Sequence, residues 1–416
     1  MWHLHERVPY ESDHHGQGGI AMSKHRVMSG NYAVAYGAAL SRVELISAYP
    51  ITPQTSIVEK LSEMVDSGLL KAKLVRVESE HSALAACVGG ASAGARTFTA
   101  TSSHGLLYMN EMIFWAGYAR LPIVMAVVTR SIGPPWSIWS EHTDLLAQRD
   151  TGWIIMMVQT NQEALDSVIQ AYAIGEDPEI MLPVMVGLDA FTVSHTSVPV
   201  EVPDQETVDK FLPKNALPSF LLDSSEPRTM GNLAYPEWNM EFRYLLDDSM
   251  RKATRKIVEV DKKFTSEFGR MYGGLLDKYR MDDAKYAIVT VGAQAGEAKE
   301  AADALRGSGF AVGVVRVRVL RPFPRQTLRE SLENLKGVAV VDRNLSPGLG
   351  GVLYSEVALS LYGVRKPPVI KGFVGGLGGR DITVEDMKRA VQAVVDSTEI
   401  ASPRSDWLGL RQEVLP

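Results

Sequence analysis

The hydrophobic and polar positions of residues 27–190 alternate between two kinds of segment. Short runs are continuously apolar, which is typical of parallel strands covered on both faces. The longer segments between them have the length and apolar spacing of helices. This alternation predicts a doubly wound α/β domain. The predicted strands are residues 45–49, 74–77, 97–101, 123–129, 153–158 and 182–188, and the predicted helices are residues 55–66, 82–94, 105–119, 138–149 and 161–174.

The pattern changes over residues 191–282, where an irregular, proline-rich stretch leads into a charged helical segment at residues 238–278. Strand–helix alternation then resumes over residues 286–396, which predicts a second, smaller α/β domain. The predicted organisation is a leader or flexible extension at 1–26, a first domain at 27–198, a connector wrapping that domain at 199–282 and a second domain at 283–416.

The composition is that of an ordinary globular protein. Of the 416 residues, 45% are hydrophobic and 22% are charged, and the formal net charge is −6. No broad basic field is available to bind a phosphate backbone. The longest apolar run, residues 121–128, is far shorter than the ~20 residues of a membrane span. We therefore expect neither a nucleic-acid partner nor a membrane partner.

The single cysteine, Cys87, limits the redox chemistry of the chain. One thiol forms neither an internal disulfide nor a cysteine-ligated zinc or iron–sulfur site. Metal centres used in redox chemistry would then lie on other chains, and we predict no metal site here. With one cysteine and no secretory hydrophobic region, we expect a cytoplasmic location. Four histidines lie before Met22: His3, His5, His14 and His15. They form either a metal-binding tract or part of a leader, and the leader is favoured.

Two glycine-rich loops follow predicted strands of the second domain. Residues 348–351 could cradle an anion at a helix start, but a tight strand–helix turn is favoured because no acidic ribose partner lies ~20 residues on. Residues 375–381 add an arginine and are the better anion candidate, although they also suit a mobile interface loop.

Polar residues follow four successive strands of the first domain. Thr52 lies in a turn stiffened by prolines, and Glu80 leads into an apolar helix. Ser102 or Ser103 follows the third strand, and Arg130 follows the fourth. Open α/β sheets bind ligands at the carboxyl ends of their strands. The sequence therefore predicts one site at this edge of the sheet.

The segments that carry these residues also carry a resemblance. They read YPITPQT, VESEHSALAACVGGASAGARTFTATSSHGL and WSEHTDLLAQRDTGW, and they are joined by VDRN and GGLGGRD in the second domain. Together they resemble the alpha subunits of pyruvate:ferredoxin oxidoreductases and their branched-chain 2-oxoacid relatives. The similarity runs from about residue 31 to the end of the chain.

The resemblance implies a pyrimidine-binding-type thiamine diphosphate domain followed by a smaller domain like the C-terminal domain of transketolase. It implies oxidative decarboxylation of a 2-oxoacid, pyruvate first, with the acyl group passed to coenzyme A and electrons to ferredoxin. A beta subunit would contribute the pyrophosphate-binding domain, Mg²⁺ and a [4Fe–4S] cluster. Gamma and delta subunits, or fused equivalents, would complete the complex. The chain lacks the pyrophosphate motif and the cysteine clusters, which agrees with this division.

The resemblance also assigns roles to residues. The family's conserved glutamate falls on Glu80, which would hydrogen-bond the aminopyrimidine ring of the cofactor. Thr52 and Arg130 would contact the carboxylate or carbonyl of the 2-oxoacid. The other residues expected to bind the cofactor are Pro50, Ile51, Ser102 and Ser103.

Alternatives remain open. The chain could belong to a 2-oxoisovalerate:ferredoxin oxidoreductase, to a thiamine enzyme without ferredoxin, or to a non-catalytic scaffold that has kept the fold. Trp136, Ile138 and Trp139 could line an acyl pocket, or they could pack in a helix core. A methylene difference in such a pocket is worth only ~1–3 kcal/mol of discrimination.

Overall fold

A computed structural model of the chain describes residues 25–214, 222–397, 399–401 and 404–415. The four N-terminal histidines and nearly all of the predicted leader lie outside these residues. Residues 25 and 26, the last two of the predicted extension, already lie in a strand. Among the described residues, no helix combines the length and the hydropathy that crossing a membrane requires.

The first sheet has seven strands in the order β12-β6-β7-β5-β4-β2-β3, and its strands are parallel except β12. A separate antiparallel pair, β1-β8, lies beside it. The elements of this half of the chain are β1 (His25–Ser29), α1 (Gly30–Leu40), β2 (Leu45–Ala48), α2 (Thr55–Asp66), β3 (Lys73–Arg76), α3 (Glu80–Ser92), β4 (Thr97–Thr101), α4 (Ser103–Tyr108), α5 (Asn110–Tyr118), β5 (Val124–Thr129), α6 (Thr143–Leu146), β6 (Ile154–Met157), α7 (Asn161–Gly175), β7 (Val184–Asp189), β8 (Ser197–Glu201), α8 (Gln205–Phe211) and α9 (Pro236–Phe268).

The second sheet has six strands in the order β15-β14-β13-β10-β11-β9. Its strands are parallel except β9, which runs antiparallel to β11. The elements of this half are β9 (Leu276–Tyr279), β10 (Tyr286–Thr290), α10 (Ala295–Gly307), β11 (Val312–Val317), β12 (Val319–Arg321), α11 (Arg325–Leu332), β13 (Gly337–Asp342), α12 (Val352–Leu361), β14 (Val369–Val374), α13 (Val384–Val395) and β15 (Asp406–Trp407). Two α/β units built on parallel sheets confirm the predicted fold class.

The two sheets share a hydrophobic core. One cluster of buried side chains contains Met157 of the first sheet together with Val317 and Val319 from the second half of the chain. Residues 312–321 form two strands that belong to different sheets, because β11 stays in the second sheet while β12 pairs with β6 of the first. The domain boundaries remain a prediction, but the second half of the chain supplies an edge strand to the first sheet.

The predicted helix at residues 138–149 is wrong over most of its length, because only α6 is helical there. Residues before α6 are instead held by contacts with distant segments. The Ser140 hydroxyl bonds Asp189, and the backbone N–H of His142 bonds the Arg343 carbonyl. The long helix α9 ends earlier than predicted, at Phe268, because Gly269 adopts a left-handed φ of 69°.

Helix α1 is absent from the prediction. Nine of its eleven residues are buried, and it packs against α7 and α2. A helix enclosed on nearly all sides has no polar face, so its sequence shows no amphipathic period.

Candidate functional site

The four predicted polar residues lie at one edge of the first sheet. Strands β3, β2, β4 and β5 are direct neighbours and run parallel, so their carboxyl ends meet. The guanidinium of Arg130 bonds the backbone carbonyl of Thr52, which joins the ends of β5 and β2 across the sheet. The structure thus brings together residues that are 78 positions apart in the chain.

Glu80 is the first residue of α3. Other side chains already cap the start of this helix. The Ser79 side chain accepts the backbone N–H of Ser82, and Glu78 bonds the Ser82 hydroxyl. Glu80 is only 8% exposed, and no described residue donates a hydrogen bond to its carboxylate. A mostly buried carboxylate to which no described residue donates is suited to a ligand that supplies the donor.

Gly105 keeps open the space in front of this carboxylate. A Cβ added to Gly105 would lie 2.6 Å from Glu80 Oε1 and 2.6 Å from Thr101 Oγ1. The Thr101 hydroxyl is itself buried without a hydrogen-bond partner in the described structure. A carboxylate, an unpartnered hydroxyl and the missing side chain together form a small polar cradle.

Arg130 is a buried cation at the end of β5. It is 3% exposed, its Nε has no hydrogen-bond partner, and no described carboxylate forms an ion pair with it. Burial lowers the pKa of its guanidinium and the charge of Asp144 opposes that shift, yet arginine stays protonated at any physiological pH. Its Cζ lies 5.9 Å from the centre of the Trp136 ring. A buried guanidinium with unused donors is suited to a carboxylate ligand.

The turn that carries Pro50, Ile51 and Thr52 is held from below by two buried amide side chains. Asn31 Nδ2 donates to the Pro53 carbonyl at 2.7 Å. Gln54 Nε2 donates to the Ala100 carbonyl at 2.9 Å. Pro50 and Thr52 are exposed at the edge and Ile51 is half-buried, so this rigid turn faces the site. Asn31 and Gln54 are absent from the predicted site, because Asn31 lies in the unpredicted helix α1 and Gln54 comes five residues after the predicted strand at residues 45–49.

Ser102 and Ser103 lie at the same edge but face inward. Both are fully buried, and their hydroxyls donate to backbone carbonyls, Ser102 to Val128 at 2.7 Å and Ser103 to Ser131 at 2.6 Å. Their hydroxyl hydrogens are therefore used within the chain, and direct contact with a cofactor stays a prediction.

The loop after Arg130 carries three residues considered for an acyl pocket. Trp136 is 73% exposed and Trp139 is 53% exposed, while Ile138 is half-buried. Packing in a helix core is therefore wrong for these residues, since they lie on a loop. They form an apolar rim beside Arg130.

The glycine loop after β14 packs against this rim. The backbone N–H of Gly378 bonds Glu141 Oε2 at 3.2 Å, and that of Gly379 bonds the Ser140 carbonyl at 2.9 Å. Glu141 also accepts the Ser131 hydroxyl at 2.9 Å. Two of the amides that could have cradled an anion are thus used in an internal contact between the two halves of the chain.

Gly379→Ala is expected to destabilise the chain more than Gly378→Ala does. Both residues have a left-handed φ, 80° and 61°, which costs an alanine roughly 1–2 kcal/mol. A Cβ at Gly379 would lie 2.2 Å from Trp139 Cβ, whereas one at Gly378 meets only Ser137 Oγ at 3.6 Å. The clash should add about 1–3 kcal/mol and change the tryptophan fluorescence. Thermal unfolding followed by fluorescence measures both; equal midpoints for the two variants would contradict the packing described.

The other glycine loop, residues 348–351, is a strand–helix turn. The N-terminal amides of α12 are bonded by side chains of the chain itself, Leu353 and Tyr354 by Asp342 and Val352 by Asn344. Burial raises the pKa of Asp342 to about 7, and the two backbone N–H groups oppose that shift. The favoured interpretation of this loop as a turn agrees with these contacts.

Cys87 lies inside the first domain and is completely buried. Burial raises the pKa of its thiol to about 12, so it does not act as a nucleophile. Within the ranges that the structure describes, no group of three or more His, Cys, Asp or Glu side chains has an arrangement that could hold a metal ion.

Comparison with known proteins agrees with this fold. Residues 36–262 match the family described as "Pyruvate flavodoxin/ferredoxin oxidoreductase, thiamine diP-bdg", and residues 284–387 match "Pyruvate:ferredoxin oxidoreductase core domain II". The ketoisovalerate oxidoreductase subunit VorA of Pyrococcus abyssi is 46% identical over 390 residues, covering 93% of this chain and 98% of that protein. The pyruvate synthase subunit PorA of Methanothermobacter thermautotrophicus is 43% identical over 388 residues, covering 93% of this chain and 99% of that protein.

Two solved structures share the fold at low sequence identity. One is a 2-oxoglutarate:ferredoxin oxidoreductase from Magnetococcus marinus, with a TM-score of 0.70 and 19% identity over 90% of this chain and 66% of that chain. The other is a split-gene transketolase, with a TM-score of 0.51 and 16% identity over 88% of this chain and 98% of that chain.

These matches and the strand-end site define the chain as part of a thiamine-type oxidoreductase: it belongs to the pyruvate flavodoxin/ferredoxin oxidoreductase family. Within that family it is the alpha subunit of a 2-oxoacid:ferredoxin oxidoreductase. The resemblance read from the motifs is confirmed.

Proposed function

We propose that this alpha subunit binds the aminopyrimidine end of thiamine diphosphate and the carboxylate of a 2-oxoacid at the strand-end site. The enzyme would decarboxylate the 2-oxoacid, pass the acyl group to coenzyme A and pass electrons to ferredoxin. A beta subunit would hold Mg²⁺, the pyrophosphate and a [4Fe–4S] cluster, with gamma and delta subunits or fused equivalents completing the complex. The expected compartment is the cytoplasm.

One observation carries the proposal. A carboxylate without a donor and a guanidinium without an acidic partner lie at the same edge of the sheet. Glu80 lacks a donor and Arg130 lacks an acidic partner among the described residues, and both lie at the same sheet edge. Such groups fit a ligand with a protonated ring nitrogen and a second ligand with a carboxylate.

Thiamine diphosphate, when bound, supplies the electron sink for decarboxylation. Glu80 would accept a hydrogen bond from the ring and exchange a proton with it at one carboxylate oxygen. Arg130 would hold the 2-oxoacid carboxylate through its forked donors, with Thr52 beside it. The rim of Trp136 and Trp139 would exclude water from the acyl side.

Pyruvate is the first candidate substrate, on overall resemblance, and 2-oxoisovalerate is the second. Two observations support 2-oxoisovalerate as the second candidate: the 46% identity to a ketoisovalerate oxidoreductase subunit and the apolar rim beside Arg130. Turnover of the assembled complex with pyruvate, 2-oxoisovalerate and 2-oxoglutarate separates these possibilities.

Arg130→Met is expected to raise KM for the preferred 2-oxoacid by roughly 10–150-fold, because a hydrogen bond to a charged group is worth about 1.5–3 kcal/mol. Arg130→Lys keeps the positive charge but loses the forked pair of N–H donors, so its KM should lie between those of wild type and Arg130→Met. Steady-state kinetics of the assembled complex measures both.

Arg42→Met is the matched control, because the Arg42 side chain is 62% exposed and lies between α1 and β2, at the opposite edge of the sheet. An unchanged KM in Arg130→Met would refute the proposed carboxylate site.

A further inference from the structure

One buried carboxylate, Asp144, ties together two of the strand ends that form the site. It lies in α6 and is completely buried. Its Oδ2 accepts the backbone N–H of Ser103 at 2.9 Å and the backbone N–H of Arg130 at 3.0 Å. Its Oδ1 accepts the N–H of Leu145 at 2.8 Å. A single oxygen atom therefore fixes the chain where it leaves β4 and where it leaves β5.

These contacts matter most for Arg130, whose side chain has few other restraints. Its guanidinium bonds the Thr52 carbonyl, its Nε is unpaired, and no described carboxylate pairs with it. The direction in which the guanidinium leaves the sheet therefore depends on the backbone at residue 130. Asp144 holds that backbone by accepting the N–H of Arg130, and it forms no hydrogen bond with the guanidinium in the described structure.

The other end of the contact holds a strained residue. Ser103 has a φ of 46°, in the left-handed region that residues other than glycine rarely adopt. Such a conformation persists only where surrounding contacts over-determine it. The contacts here are the Asp144 bond to the Ser103 N–H and the Ser103 hydroxyl bond to the Ser131 carbonyl.

We propose that Asp144 is a positioning residue for 2-oxoacid binding, which holds the backbone of Arg130 so that its guanidinium faces the substrate carboxylate. The inference rests on the proposed function of Arg130. Asp144 does not touch the substrate, because its carboxylate is enclosed and bonded to three backbone N–H groups.

Asp144→Ala in the assembled complex is expected to raise KM for the 2-oxoacid at least tenfold, with kcat reduced less than threefold and KM for coenzyme A unchanged. The KM of Asp144→Asn should lie between those of wild type and Asp144→Ala, because an amide oxygen can still accept two of the three N–H groups. If Asp144→Ala does not assemble, the same split between KM and kcat in Asp144→Asn, at about threefold, decides the question.

Asp342→Ala is the matched control. Asp342 is also a buried carboxylate bonded to two backbone N–H groups, but it is the last residue of β13 in the second sheet, and its side chain accepts N–H groups from the start of α12. We expect it to lower stability and leave KM for the 2-oxoacid unchanged. Equal KM values in the Asp144 and Asp342 variants would overturn the inference.

The double variant Arg130→Met/Asp144→Ala separates this inference from the function on which it rests. If Asp144 acts through Arg130, the double variant should have the KM of Arg130→Met alone. If KM rises in Arg130→Met but not in Asp144→Ala, the positioning role of Asp144 is refuted and the carboxylate site is not. No change in Arg130→Met refutes the carboxylate site itself.

Discussion

Replacing Glu80 with glutamine is expected to lower the turnover of the assembled oxidoreductase by about 10²–10⁴-fold, the usual contribution of a positioned acid or base. Glutamine keeps the size of the side chain and one acceptor oxygen, so the cradle in front of Gly105 should stay open. It cannot take up or return a proton at neutral pH, which is the role proposed for the carboxylate. Turnover with saturating 2-oxoacid and coenzyme A measures the loss, and gel filtration measures assembly.

The neighbouring residue Glu78 supplies the control for this experiment. It lies two positions earlier and is exposed, and its carboxylate accepts the Ser82 hydroxyl, which keeps the pKa of this carboxyl below the usual value. Glu78→Gln should therefore assemble and turn over as wild type. Near wild-type turnover in Glu80→Gln, or an equal loss in both variants, would show that Glu80 has no role in the chemistry.

Replacing Glu163 with alanine is expected to destabilise the fold by about 3–5 kcal/mol, the usual effect of removing one partner from a buried ion pair. Glu163 lies in the first turn of α7 and is 1% exposed. Its Oε2 lies 3.0 Å from Arg316 Nη1, and its Oε1 accepts Arg318 Nε at 2.9 Å. Burial lowers the pKa of Arg316, but Glu163 and Asp277 more than offset this. Alanine would leave two buried cations without their main counter-charge.

The exposed pair of Glu206 and Lys210, 2.8 Å apart, is the control for Glu163. Exposed pairs are screened by solvent, so Glu206→Ala should change the unfolding midpoint very little. Urea unfolding of the three proteins provides the comparison. If Glu163→Ala lost no more stability than Glu206→Ala, the ion pairs would not hold the two halves of the chain together.

Much of the fold could be predicted because parallel strands covered on both faces are continuous apolar runs in the sequence. Each continuous apolar run of the first domain became a strand, with bounds within a residue or two over most of its length. The exceptions have physical causes. Helix α1 has no polar face, and residues 138–149 are shaped by contacts with Asp189 and Arg343 that no local pattern encodes.

The site divides in the same way. Thr52, Glu80 and Arg130 could be placed together because each follows a parallel strand, and parallel neighbours end at one edge. Asn31 and Asp144 could not, because one lies in the unpredicted helix α1 and the other follows an irregular loop. Their importance depends on which backbone groups they reach, 22 positions away for Asn31 and 41 positions away for Asp144.

Strand β12 makes the two halves of this subunit inseparable. It comes after β11 in the chain, yet it covers the edge strand β6 of the first sheet. A shorter gene product ending at the connector would display the row of unpaired N–H and C=O groups along β6, an open template for pairing with other copies. A division of the chain between the two sheets would therefore turn an internal contact into a route to aggregation.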